Sequence, residues 1–113
     1  MRVRKRERNR GLMTPAQIAE HFEREYGCTT ADWLRWLPGA VRDCAWHLHG
    51  PNSARINLGS GQLTLHWTVL SPRRIALITL PRLQVQFDFI DSHADELRAF
   101  MRYFDLYMQR GGG

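Results

Sequence analysis

Between residues 44 and 90, apolar and polar side chains trade places at nearly every second position, and no other feature constrains the fold as tightly. In CAWHLH, Cys44, Trp46 and Leu48 alternate with Ala45, His47 and His49. Leu63, Leu65, Trp67 and Val69 alternate with Thr64, His66 and Thr68, and Leu83, Val85, Phe87 and Phe89 with Gln84, Gln86 and Asp88. Side chains of a strand point to opposite faces in turn, so each segment reads as a strand with one apolar face. The connections GPNS, GSG and SPRR are too short for a parallel crossover, which makes neighbouring strands antiparallel. IALITL is apolar on both faces and reads as a central strand, or as one whose second face is partly covered. Pro81 follows it, and proline does not sit inside a central strand, so a tight turn or bulge is expected there.

A sheet with one apolar face needs a layer on that face. Three helices are expected to provide it. MTPAQIAEHFEREYG has Thr14 as cap, Pro15 at the first helical position and an Ile18, Ala19, Phe22, Tyr26 stripe, with Gly27 as stop. TTADWLRWLPG follows, capped by Thr30 and ended by Pro38-Gly39. The last helix spans roughly 93–109, capped by Asp91 or Ser92, with Leu97, Phe100, Met101, Phe104 and Met108 on one face. The expected fold is α+β: a single antiparallel sheet of four to five strands, covered on one face by N-terminal helices and a C-terminal helix. Residues 1–11 are expected to be a disordered basic tail, 12–110 one domain, and 111–113 a flexible glycine end.

The net charge of +5 comes entirely from the tail, since Arg2, Arg4, Lys5, Arg6, Arg8 and Arg10 stand against Glu7 alone and residues 11–113 balance. Such a tail reads phosphates and not bases, so it suits DNA, RNA or an anionic membrane surface without sequence specificity. Translation from Met13 would remove it. Two cysteines, Cys28 and Cys44, are too few for a disulfide framework, and no apolar run reaches the ~18 residues of a spanning helix. A cytoplasmic protein without a membrane span is expected.

Three sets of residues carry functional expectations. His47 and His49 share a strand face, and His66 lies on the polar face of a nearby strand, a grouping that suits a zinc or nickel site with Asp88 as a further carboxylate. On the last helix Leu106 stands opposite the apolar stripe, flanked by Arg102 and Arg110 and beside Tyr103 and Tyr107, residue types that favour a protein partner or a homodimer. Residues 2–10 form the nucleic-acid candidate. His21 with Glu25 reads as a helical surface pair, and Asp91, Ser92, His93 and Asp95 as a helix start. No phosphate loop, dinucleotide fingerprint or nucleophile elbow occurs, and no cofactor is expected.

Gly112 and Gly113 resemble the glycine pair that ends the ubiquitin-like thiamin and molybdopterin sulfur carriers. A third glycine and an amphipathic helix running into the tail depart from that pattern, so a helix stop is expected instead. PRLQVQFDF and FDLYMQRGGG resemble small uncharacterised bacterial proteins, a resemblance that implies no activity, cofactor or partner. The chain therefore reads as a non-catalytic interaction or regulatory module. Its rivals are a nucleic-acid accessory protein acting through the tail and a metal protein using the three histidines.

Overall fold

The computed structural model describes residues 17–111. These form β1 (Gln17–Tyr26), α1 (Thr30–Val41), β2 (Trp46–Leu48), β3 (Ser53–Asn57), β4 (Gln62–Ile75), β5 (Ile78–His93) and α2 (Ala94–Gln109). The five strands make one antiparallel sheet in the order β1-β5-β4-β3-β2. Trp33, Leu37 and Val41 of α1 and Leu97, Met101 and Phe104 of α2 share one buried cluster with Ile56, Leu63, Leu65, Trp67, Leu83, Val85, Phe87 and Phe89 of the sheet. Both helices therefore cover the same face, the inner one. The alternation of buried and less buried residues along β3, β4 and β5 follows the sequence pattern residue by residue until Trp67.

Where a first helix was expected, β1 pairs with the edge of β5. Phe22 and Tyr26 fit either a helical stripe or an inner strand face, and Arg24 between them hid the alternation. Arg24 sits on the inner face with its guanidinium 5.1 Å from the Phe22 ring centroid and ion-paired to Asp105 of α2. A charged side chain that is part-buried by packing on aromatic rings looks, in sequence, like a solvated helix position. The cap expected at Thr14 and Pro15 lies outside the described residues.

The helix over TTADWLRWLPG is present with adjusted ends. Thr29, one residue before the expected cap, accepts from Asp32 N–H at 3.0 Å while Asp32 accepts from the Thr29 N–H, a capping box. Pro38 lies inside the helix, which continues to Val41. In α2 the apolar face is as expected, but neither Asp91 nor Ser92 caps it. His93 is the N-cap and makes no side-chain cap bond. Instead Ser60, in the β3–β4 turn, accepts from the His93 N–H at 3.0 Å and bonds Glu96 in the first turn of α2. At the other end Gly111 takes φ 73° and its N–H bonds the Met108 carbonyl at 3.0 Å, a left-handed helix stop.

Candidate functional site

The largest departure from the expected fold is the β4–β5 hairpin. Neither SPRR nor Pro81 makes a turn: β4 runs through the first and β5 through the second, and the chain reverses at Ala76 and Leu77. IALITL is thus no central strand but the tip of a ribbon. Pairing of β5 with β1 stops at Leu83, and pairing of β4 with β3 stops at His66. Beyond Leu70 and Arg82 the two strands have only each other, as Arg73↔Leu80, Arg74↔Thr79 and Ile75↔Ile78. A bulge between Leu70 and Arg73 places Ser71 and Pro72 across from Pro81, so both prolines fall where the ladder is already broken. The bulge expected at Pro81 lies on its partner strand.

What this arm carries is unusual for a surface. Leu77 is fully exposed, and Val69, Ile75, Ile78 and Leu80 are 41–68% exposed. Residues opposite one another share a face, so Arg73, Leu80, Ile75 and Ile78 lie on the outer face and Arg74 with Thr79 on the inner one. No Asp or Glu occurs from Gln62 to Phe87, while Arg73, Arg74 and Arg82 all lie on the arm or at its base. Ala76 takes φ 54°, a left-handed value that costs a non-glycine residue roughly 1 kcal/mol.

The base of the arm is tied to β1. Arg82 donates to both carboxylate oxygens of Glu25, at 2.9 and 3.0 Å, and to the Ser71 carbonyl at 3.1 Å. Arg73 approaches the same carboxylate at 3.9 Å. The Arg82 guanidinium holds the Glu25 carboxyl below the usual carboxylate range. His21, expected to pair with Glu25 along a helix, instead contacts Asp88 on β5 at 2.6 Å.

The histidine grouping is set apart by register. Arg55 of β3 stands between His47 and Thr64, whereas His66 stands opposite Ser53. His47 and His66 share the outer face, yet β3 separates their strands by about 10 Å. The His47 and His49 rings are 6.5 Å apart, and no trio of His, Cys, Asp or Glu among the described residues could hold an ion. On α2, Leu106 is half exposed and Arg102 and Arg110 are exposed. The tyrosines are engaged in packing: Arg42 lies 4.2 Å over the Tyr103 ring, and Tyr107 fills the space where Gly39 has no side chain. The tail residues Arg2, Arg4, Lys5, Arg6, Arg8 and Arg10 lie outside the described residues.

A cleft of about 210 Å³ opens between the end of α1 and α2, lined by Arg42, Asp43, Cys44, Glu96, Phe100 and Tyr103. It is smaller than the roughly 300 Å³ at which ligand pockets begin. Burial pushes the Cys44 thiol up, away from the thiolate a nucleophile needs. The chain matches no protein-family model, and it has no significant match among curated proteins or solved structures.

Proposed function

We propose that this protein is a non-catalytic binding module whose working part is the β4–β5 arm. One observation carries the proposal: five aliphatic side chains stand in water on a ribbon that adds nothing to the core. Every member of the buried cluster, and every side chain packed against it, lies outside residues 68–82. A fold gains nothing from such exposure and risks aggregation, so an apolar arm of this kind is kept for something it touches. Arginine and aliphatic residues in one patch suit binding, and the arm's long lever places them clear of the body.

The test is a photo-crosslinking residue at position 77 of the full chain in living cells, with the same residue at Thr64 on the body's outer face as control. Crosslinks formed at 77 and not at 64 are expected. Equal or absent crosslinking at 77 would remove the arm from consideration and return attention to Leu106, Arg102 and Arg110 on α2.

A further inference from the structure

We propose that the arm tip is a membrane-surface anchor, inserting Ile75, Leu77 and Ile78 at the headgroup–acyl boundary of an anionic bilayer. The inference rests on the arm being the working part of the molecule. The order of side chains along the ribbon carries it. The far end is aliphatic, formed by Ile75, Leu77 and Ile78. Directly behind come Arg73 on the outer face and Arg74 on the inner face, so cations flank the tip on both sides. At about 3.3 Å per residue, Arg73 trails Ile75 by about 7 Å, and Leu77 projects further. Surface-binding segments bury their apolar part by roughly 5–10 Å, which puts these arginines level with lipid phosphates. No acid lies on the arm itself; Glu25 of β1 is 3.9 Å from Arg73, and it keeps both of its bonds from Arg82 when Arg73 turns to a phosphate.

The backbone sets the depth. A two-stranded ribbon has unpaired N–H and C=O groups along both edges, which cannot enter hydrocarbon without large cost. Insertion is therefore shallow, and no helix among the described residues is long and apolar enough to span.

Other occupants fit less well. A second copy seated on the arm would meet only the eleven residues 71–81, against roughly 20–30 residues a side in a stable complex. It would also bring Arg73 and Arg82 of the two copies together on the outer faces. Strand addition along the arm is hindered by Pro72, Pro81 and the bulge. A nucleic-acid duplex would satisfy the arginines, but three aliphatic side chains would then have to unstack bases to leave water.

The experiment is co-sedimentation of the full chain with vesicles of phosphatidylcholine, alone or with one quarter phosphatidylserine, over a salt series. Binding to the anionic vesicles is expected, and Leu77→Asp should weaken it at least tenfold while melting like the wild type. Arg73→Gln with Arg74→Gln should weaken binding and flatten its salt dependence. If Leu77→Asp binds as tightly as the wild type, the tail alone holds the membrane and the anchor proposal is wrong. Leu77-dependent binding to a lipid-free DNA duplex would overturn it equally. Absent vesicle binding with specific crosslinks at position 77 would sink the lipid assignment and leave the arm as the binding part. Absence of both would remove arm and lipid together.

Discussion

Ser60 does for α2 what no neighbouring residue does. Its hydroxyl reaches from the β3–β4 turn to the first turn of the helix, accepting from His93 and bonding Glu96. A cap supplied from over thirty positions away joins sheet to helix as well as closing the helix. Ser60→Ala should lower stability by about 1 kcal/mol, the ordinary worth of a lost N-cap, read from urea unfolding. Cys28 offers a second test. It is 2% exposed, and burial pushes its thiol up to about 11 from 9.0. A group whose folded pKa is raised contributes fully below its unfolded value and loses that contribution as pH rises through the folded one. Stability should therefore fall between pH 9 and 11, and Cys28→Ala should flatten that fall; an unchanged slope would assign it elsewhere, as to Tyr26, whose hydroxyl burial also pushes up.

Among the elements, α1, α2 and strands β2, β3, the first half of β4 and the second half of β5 are readable from periodicity and turn residues. In all but β2 one face meets the core and the residues there are apolar, so burial and sequence agree; in β2 only Trp46 packs on the core, and Leu48 is half exposed. The agreement fails at β1 and at the arm, for different reasons. In β1, Arg24 occupies an inner position by laying its stem on Phe22 and reaching Asp105, so the apolar alternation is broken by a residue that is nonetheless packed. In the arm, apolar residues on both faces read as a sign of burial, yet they are exposed. The adjacent Arg73 and Arg74 beside IALITL were the signal that could have marked this segment, because a strand buried on both faces has no place for two neighbouring cations. Of the candidate site, the arginines and aliphatics were visible but their common ribbon was not. Glu25 joins β1 to the base of the arm. Its carboxyl is held low by Arg82, so its contribution is present above the unfolded value of 4.5 and is lost as pH falls through the lower folded one. Glu25→Gln should speed amide exchange across Ser71–Arg82 at neutral pH and leave exchange in α2 unchanged, as measured by mass spectrometry.

The molecule divides into a body that holds its own core and a lever that does not contribute to it. Leu70 and Arg82 stand directly opposite each other across the ribbon, so replacing residues 71–81 by Asn-Gly would close the hairpin with a two-residue turn at its base. That change removes the bulge, both prolines, Arg73, Arg74 and the tip, while every buried side chain of the body remains. Arg82 keeps both of its bonds to Glu25 and loses only the Ser71 carbonyl. The shortened chain should fold, with its melting temperature within about 8 °C of the parent, the shift expected for roughly 1 kcal/mol in a domain of this size. It should also lose the binding that Leu77 supports. A shortened chain that folds and still binds would place recognition on α2 or the tail. One that fails to fold would mean that the arm is needed to build the sheet, a role its exposed side chains do not account for.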